Sequence, residues 1–135
     1  MASCPQCGGL LDAVIDLDRK VTPVEFESPR FSLESTSGVW RYRALLPQIA
    51  DENIVTRREG NTPLYFHNSL ADYAGLNHGA MGVKHEGHNP TGSFKDRGMT
   101  VAVSHAKSVG AKVIACASTG NTSASLASYG ATAGI

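Results

Sequence analysis

The chain has few cysteines and few aromatic residues, and it carries no excess of either charge. Three Cys and one Trp stand among 135 residues, and twelve basic residues balance twelve acidic ones. Because no run of lysine or arginine occurs, neither nucleic acid nor a membrane surface is indicated as a partner. No apolar run approaches the roughly 20 residues that span a bilayer, and no signal-peptide pattern is visible. With so few thiols, the sequence predicts a cytoplasmic protein.

Nucleotide-binding loops are missing as well. No Gly-x-Gly-x-x-Gly or Gly-Lys-Ser/Thr pattern occurs, which disfavours a nucleotide-binding domain. The composition, 41% hydrophobic and 18% charged, is that of a globular protein, and the length fits one ordinary domain. The function therefore has to be sought in local motifs.

A lysine that follows a glycine turn is the most informative motif present. In residues 89–98 an Asn-Pro pair and a Thr-Gly pair predict a turn. Thr91 or Ser93 can cap the helix that follows. We expect this helix to begin near residue 94 and to stop at Gly110, because apolar residues recur between them at helical spacing. Lys95 therefore falls in the first helical turn.

Lys95 is unusual there because the helix dipole favours anions at an N-terminus. A lysine amine forms Schiff bases with carbonyl compounds, and pyridoxal phosphate is the commonest cofactor that uses this chemistry. The simpler interpretation is a surface lysine that pairs with Asp96 or Asp18. The glycine turn before the lysine favours the cofactor.

A second motif lies downstream of the lysine. Residues 112–117 are a short apolar run typical of a buried parallel strand, in which Cys116 is expected to be a small core residue. Residues 118–123 are a polar glycine turn, and the small residues that follow predict a helix able to approach a sheet or a planar ligand closely. This order places backbone N–H groups and hydroxyls at the carboxyl end of a sheet, where carboxylates bind well.

Weaker patterns precede these motifs. Residues 40–50 are predicted to be a short amphipathic helix broken by Pro47, and residues 62–65 begin an extended segment that leads to a helix over residues 68–73. Residues 81–84 are predicted to be the strand that feeds the lysine turn. His85 and His88 are interpreted as loop residues near the site, since a metal pair would need a third ligand nearby.

Cys4 and Cys7 form a Cys-x-x-Cys pair followed by two glycines, which resembles one half of a zinc ribbon. A closed zinc site needs four ligands, and the usual second pair of cysteines is absent from the sequence. Two free thiols and no metal are therefore expected, with metal binding through a partner chain as the alternative. The surrounding residues 1–35 are expected to be a small extended appendage.

Taken together, the two site motifs resemble the pyridoxal-phosphate enzymes of fold type II, the tryptophan synthase beta family. Within it, the match is closest to the threonine synthases. The resemblance is most specific over residues 89–98 and 117–125, and it extends to residues 4–12, 38–47 and 59–64, so that it covers nearly the whole chain.

The resemblance implies a role for each residue of the two motifs. Lys95 would be the lysine that forms the Schiff base with pyridoxal 5'-phosphate and later moves protons, and Asn121 would bond the phenolic oxygen of the cofactor. Ser118, Thr119 and Thr122 would hold the α-carboxylate of the amino-acid substrate.

The resemblance also implies an architecture. The expected fold class is α/β, an incomplete parallel three-layer sandwich over residues 36–135, with residues 1–35 as an appendage that resembles half a zinc ribbon. Enzymes of this family carry the glycine-rich loop for the cofactor phosphate much later in the chain than these 135 residues reach. The chain is therefore interpreted as the N-terminal fragment of a longer homo-oligomeric enzyme.

The reaction implied for the intact enzyme is the conversion of O-phosphohomoserine and water to threonine and phosphate. Cysteate synthase, threonine dehydratase and cysteine synthase are the alternatives that share the cofactor. A non-catalytic remnant that binds a partner chain through an unfinished sheet edge is an alternative of another class. For the chain alone we expect weak binding of the cofactor or none.

Overall fold

The computed structural model describes residues 3–12, 14 and 36–135. Three-residue and longer elements in this part follow one another in a simple order. They are a 3-10 helix Trp40–Leu45, a 3-10 helix Asp51–Asn53, strand β1 (Leu64–Phe66), helix α1 (Asn68–Ala74), strand β2 (Gly82–Lys84), a 3-10 helix Glu86–His88, helix α2 (Lys95–Ser108) and helix α3 (Asn121–Ala133). Over the described ranges, no helix has the length and apolar character needed to cross a membrane.

Helix α2 begins and ends where the sequence predicts. Lys95 is its first residue, and Gly110 follows its C-terminus with φ at +73°. Glycine adopts this left-handed conformation without the strain that a Cβ would add, and it lets the Gly110 N–H donate to the Lys107 carbonyl over 3.0 Å. The predicted place of the lysine in the first turn is confirmed.

The apolar core lies where α2 and α3 pack against the segment before β1. Val55, Val103 and Tyr129 are its buried members, one from each of these three parts of the chain. Full burial of one such aliphatic side chain contributes roughly 1.5–3 kcal/mol, so this small core fixes how the two helices meet. Further apolar side chains pack around it: Met99, Ile114, Leu126 and Ala133.

A chain of buried hydrogen bonds fastens the segment before β1 to α2. Trp40 Nε1 donates to Thr100 Oγ1 over 2.8 Å, and that hydroxyl donates to the Val55 carbonyl over 2.7 Å. The Val55 N–H donates to Ser104 Oγ over 2.8 Å. Because a buried polar group without a partner costs roughly 1–3 kcal/mol, these bonds hold the register of the segment on the helix.

The helix predicted over residues 40–50 is shorter than expected. It is the 3-10 helix Trp40–Leu45, with a non-helical Tyr42 inside it. The residue before a proline is biased towards an extended backbone, and Leu46 is extended, with φ −114° and ψ 162°. The helix therefore ends ahead of Pro47.

Strands β1 and β2 form an antiparallel pair, in which Leu64 lies opposite Lys84 and Phe66 opposite Gly82. The predicted extended segment and the predicted strand at residues 81–84 are confirmed, as is helix α1. Across the described residues, this pair is the sheet that the structure contains. Helices and strands are thus both present, while the parallel arrangement predicted for the chain is not part of this sheet.

The strand predicted over residues 112–117 is wrong for the described part of the chain, which has no strand there. Val113 is 82% exposed, and Cys116 is exposed instead of lying in the core. A strand forms by exchanging backbone hydrogen bonds with a neighbour, and no described strand lies beside this segment. The segment still packs on α3, where a Cβ at Gly130 would lie 2.8 Å from Ile114 Cδ1. The small-residue helix therefore comes close to this segment, and its predicted approach to a sheet or a planar ligand stays a prediction.

The N-terminal residues form a short hairpin-like turn, with an isolated antiparallel bridge between Ser3 and Leu10. Residues 15–35, which hold most of the predicted extended appendage, lie outside the described residues.

Candidate active site

Lys95 presents an amine that no carboxylate in the described chain pairs with. Its side chain is partly buried, and Nζ lies 4.5 Å from the centre of the Phe94 ring. The backbone N–H of Lys95 donates to Ser93 Oγ over 3.2 Å, so Ser93, and not Thr91, supplies the predicted capping contact. Asp18, one of the two partners that the simpler interpretation requires, lies outside the described residues.

Asp96, the other partner considered for Lys95, is fully buried and fully engaged elsewhere. Its Oδ2 accepts from the Thr91 N–H over 2.7 Å, and its Oδ1 accepts from Thr91 Oγ1 over 2.6 Å and from Ser125 Oγ over 2.5 Å. These three bonds tie the glycine turn, the first turn of α2 and the second turn of α3 to one carboxylate. The N-terminal ends of α2 and α3 are thereby held at the same end of the helix pair.

Glu86 and Arg97, which flank the lysine in the sequence, form a bidentate ion pair. Arg97 Nε donates to Glu86 Oε2 over 2.7 Å, and Nη2 donates to Oε1 over 2.8 Å. Hydrogen bonds from Arg97 lower the pKa of Glu86 to about 2, helped by Thr62 and Asn89, and the same carboxylate raises the pKa of Arg97. The pair fixes the 3-10 helix before the lysine turn to the first turn of α2.

Glu59 is a third carboxylate with a positioning role, and it is fully buried. It accepts from Ser37 Oγ over 2.6 Å, from Thr56 Oγ1 over 2.9 Å, from the Arg57 N–H over 3.0 Å and from Tyr129 OH over 2.7 Å. Burial, together with the hydrogen bond to Glu59, raises the pKa of the Tyr129 phenol. A buried carboxylate with this many donors anchors α3 to the loop before β1.

The second predicted motif lies at the start of α3. Helix α3 begins at Asn121, and its N-cap residue Gly120 offers no side chain to the free N–H groups of the first turn. Thr119 and Asn121 are exposed, and Ser118 and Thr122 are partly buried. The Ser118 hydroxyl accepts from the Gly120 N–H over 3.2 Å. Open N–H groups and hydroxyls at a helix N-terminus form a site that suits a carboxylate or phosphate.

The structure therefore brings the two motifs to the same end of α2 and α3 without direct contact. No hydrogen bond joins Lys95 to residues 118–122 in the described chain; the Asp96–Ser125 bond is the link between their helices. A lysine amine without an ion-pair partner in the described chain, together with an uncapped helix N-terminus, supplies the donor set that an aldehyde-bearing phosphate cofactor and an amino-acid carboxylate require. The residues present thus fit pyridoxal phosphate.

A groove of about 310 Å³ lies along α3. It is lined mainly by Ile114, Cys116, Ser123, Leu126, Gly130 and Ile135. None of the five residues predicted to bind cofactor or substrate lines it. The groove is therefore not the predicted site.

Of the two histidines that were predicted to be loop residues, His88 is the last residue of the 3-10 helix Glu86–His88 and His85 is its N-cap. Their rings meet edge to face with centroids 4.6 Å apart. Tyr65 OH lies 3.4 Å from Nε2 of His88. Through residues 3–12, 14 and 36–135, no three potential metal ligands cluster.

The cysteine pair at the N-terminus has a defined geometry. The nearby backbone N–H groups of Gln6 and Cys7, together with the Cys7 side chain, lower the pKa of the Cys4 thiol. Cys4 N–H donates to the Gly9 carbonyl over 2.8 Å, and Gly8 N–H donates to the Cys4 carbonyl over 2.8 Å. Both thiols are free.

Comparison with known proteins identifies the family. A family model described as "Pyridoxal-phosphate dependent enzyme" matches residues 55–135, which is more than half of the chain. The chain therefore belongs to the family of pyridoxal-phosphate-dependent enzymes. The predicted cofactor and the predicted family resemblance are confirmed.

Individual relatives are threonine synthases. The chain is 49% identical over 133 residues to threonine synthase of Methanosarcina acetivorans, an alignment that covers 98% of this chain and 31% of the relative. It is 49% identical over 129 residues to threonine synthase of Methanocaldococcus jannaschii, covering 96% of the chain and 31% of the relative. Threonine synthase of Synechocystis is 49% identical over 107 residues, 76% of the chain and 28% of the relative. The chain thus spans about a third of the length of these relatives.

Proposed function

We propose that this chain supplies the lysine-bearing part of a threonine synthase, which converts O-phosphohomoserine and water to threonine and phosphate. The observation that carries the proposal is the Lys95 amine, which lies in the first turn of α2 and has no carboxylate partner in the described chain. The similarity to threonine synthases over 98% of the chain supports this substrate over those of cysteate synthase, threonine dehydratase and cysteine synthase.

Lys95 and Asn121 are the residues proposed to hold the cofactor. Lys95 Nζ would join the cofactor aldehyde with loss of water, and the Asn121 amide would donate a hydrogen bond to the ring oxygen. Asp96 supports this assignment because its buried bonds to Thr91 and Ser125 keep the start of α2 close to the start of α3.

Ser118, Thr119 and Thr122 are proposed to bind the α-carboxylate of the substrate. Their hydroxyls stand beside the uncapped N-terminus of α3, where the helix dipole favours an anion. When bound, pyridoxal phosphate supplies an electron sink for the carbon atoms of the substrate. The substrate amine would first take the place of Lys95 on the cofactor, and the freed Lys95 amine would then take the proton from the α carbon. It would return that proton after phosphate has left the γ carbon and water has added at the β carbon.

The wider features of the protein follow from the same proposal. The enzyme would be a carbon–oxygen lyase acting on phosphate, a cytoplasmic homo-oligomer without nucleic-acid or membrane partners. Residues 1–35 would form the appendage that resembles half a zinc ribbon. Residues 36–135 would form the first part of a catalytic domain whose parallel three-layer sandwich is completed by further strands.

The test uses the protein at the full length of its relatives, incubated with pyridoxal phosphate and reduced with borohydride. Peptide mapping should find the reduced cofactor on Lys95, and Lys95→Ala should abolish both the label and the visible absorbance of the bound cofactor. Lys112→Ala is the matched control, because Lys112 is exposed and lies outside residues 89–98 and 117–125. Label on another lysine, or none, would overturn the assignment.

A second candidate function, a non-catalytic chain that binds a protein partner, is favoured by one observation. Residues 112–117 form no strand in the described chain and are largely exposed beside a groove on α3, so a strand from another chain could pair there. The gene sequence beyond Ile135 separates the two candidates. A downstream glycine-rich loop supports the enzyme, and a stop codon directly after Ile135 supports the partner-binding remnant.

A further inference from the structure

The ring of Phe94 lies against the Lys95 amine and has no role in the proposed reaction. Lys95 Nζ lies over this ring, 4.5 Å from its centre. The face of an aromatic ring attracts a cation that lies within about 6 Å of the ring centre. Phe94 therefore makes a cation–π contact with the residue that is proposed to be the base of the reaction.

The backbone of Phe94 is held in place, while its ring stays outside the apolar core. Phe94 is the N-cap residue of α2 and follows the buried Ser93. Its carbonyl accepts from the Arg97 N–H over 3.1 Å. The side chain is 55% exposed and is not among those that pack around the apolar core. Core packing therefore does not account for an aromatic side chain at this position.

Among the residues that the structure describes, the Lys95 amine contacts this ring and no carboxylate. The neighbouring carboxylates are occupied, because Asp96 accepts three hydrogen bonds from other groups and Glu86 is paired with Arg97. A long lysine side chain loses much rotamer freedom when it is held in one place. A contact that already limits this freedom keeps the amine in position for a proton transfer.

We propose that the Phe94 ring positions the Lys95 amine and stabilises the ammonium that forms when this amine takes the proton from the substrate α carbon. The inference rests on the proposed function, in which Lys95 is that base. In this step the C–H bond breaks, the proton forms a bond to Nζ, and the electron pair passes to the electron sink that the cofactor supplies. A neutral amine becomes a cation beside the ring, and the ring attracts the cation. The contact is stronger after the transfer than before it, which lowers the barrier.

Three variants of the protein at the full length of its relatives separate the aromatic face from the bulk of the side chain. Phe94→Leu keeps an apolar side chain without an aromatic face, and Phe94→Tyr keeps the face. Phe66→Leu is the control, because Phe66 is 59% exposed in β1 and lies outside residues 89–98 and 117–125. Far-UV circular dichroism of each variant shows whether it has folded.

The first measurement is made on the protein without cofactor. In the proton NMR spectrum, the ε-methylene protons of Lys95 should lie upfield of those of the other lysines, because the ring current shields protons above an aromatic face. Their signal is identified by its absence from the spectrum of Lys95→Ala. It should keep its position in Phe94→Tyr and Phe66→Leu and should move to the ordinary position in Phe94→Leu.

The second measurement follows the proton that Lys95 moves. With the cofactor bound, the α proton of threonine, the product of the proposed reaction, should exchange with solvent deuterium. Phe94→Leu should slow this exchange roughly 2- to 5-fold, which is the effect of a cation–π contact at a partly exposed site. The threonine concentration that gives half-maximal exchange should stay the same. Phe94→Tyr and Phe66→Leu should exchange at the wild-type rate.

Four results would overturn the inference. They are an ordinary NMR position of the Lys95 protons in the wild type, an unchanged exchange rate in Phe94→Leu, a Phe94→Tyr protein as slow as Phe94→Leu, and a Phe94→Leu protein that no longer carries the borohydride-reduced cofactor on Lys95. A wild-type protein that carries no cofactor on Lys95, or that does not exchange the α proton, would overturn the proposed function as well. Because the NMR position is measured without cofactor, the two failures are distinguishable.

Discussion

The lysine turn, residues 89–97, and the hydroxyl loop, residues 118–122, lie at the same end of the α2–α3 pair but are built in opposite ways. In the lysine turn, charged groups are saturated with partners: Asp96 accepts three hydrogen bonds, and Arg97 makes two bonds to Glu86. In the hydroxyl loop, Thr119 and Asn121 are exposed, and the one hydrogen bond of Ser118 Oγ within the described chain stays inside the loop.

The difference separates residues that fix positions from residues that are left for a ligand. A buried carboxylate loses its hydration, so it must be hydrogen-bonded within the protein, and those bonds make its surroundings rigid. An exposed hydroxyl keeps its water and exchanges it for a ligand at little cost. Lys95 combines both features, since its backbone lies in the rigid part and its amine is unpaired in the described chain.

The largest loss of stability is expected when the rigid part is broken at Asp96. Asp96→Asn keeps the shape but removes the charge and turns one acceptor atom into a donor, which then faces the donors of Thr91 or Ser125. We expect the free energy of unfolding to fall by roughly 2–4 kcal/mol, measured by urea denaturation.

Asp51→Asn is the matched control for Asp96→Asn. Asp51 also pairs with a cation, Arg43, over 2.5 Å, but its side chain is 78% exposed. An exposed ion pair contributes about 0–1 kcal/mol. Equal losses in the two variants would show that the buried bonds of Asp96 do not set the rigidity of the lysine turn.

A smaller effect is expected from pH at Glu86. Its pKa is about 2 in the folded chain, below the ordinary value of 4.5, so the ion pair with Arg97 contributes fully above about pH 4.5. That contribution is lost as the pH falls from 4.5 towards 2, because the carboxyl then takes up a proton. Since about a third of each side chain is exposed, at 31% and 32%, we expect about 1–2 kcal/mol after solvent screening.

Urea denaturation at a series of acidic pH values measures this loss, with Glu86→Gln as the variant in which it should be absent. Glu52→Gln, at an exposed carboxylate, should keep the wild-type profile. A Glu86→Gln protein whose stability falls with acid as steeply as the wild type would assign the effect to other carboxylates.

The parts of the fold that could be predicted from the sequence are those determined by residues close to one another in the chain. Helix α2 was predictable because its apolar period and its glycine stop lie within a few residues of each other. The extended segments at β1 and β2 were predictable for the same reason, and so was the place of Lys95. The strand over residues 112–117 was not formed, because the stability of a strand depends on neighbours that its own sequence does not contain.

The contacts that make the site rigid could not be predicted in this way. Ser125 lies 29 residues from Asp96, and Tyr129 lies 70 residues from Glu59, so their hydrogen bonds arise only when α3 packs on α2 and on the loop before β1. Their signal in the sequence was indirect. Asp96 stands next to the candidate active-site lysine, and Glu59 stands between two arginines and a glycine. At both positions a buried acceptor has hydrogen-bond donors nearby.

The smallest effect on stability is expected in the hydroxyl loop, and it is the sharpest test of the comparison. Thr119→Ala removes an exposed hydroxyl, so the free energy of unfolding should change by less than about 0.5 kcal/mol. If this hydroxyl donates to the substrate carboxylate, its loss should weaken substrate binding by roughly 10-fold in the full-length protein. Ser108→Ala is the control: it removes an exposed hydroxyl at the opposite end of α2 and should leave the substrate affinity unchanged. Thermal unfolding measures the stability of both variants, and substrate titration measures their affinity. A Thr119→Ala protein that is destabilised yet binds substrate normally would show that Thr119 has a structural role and does not bind the substrate.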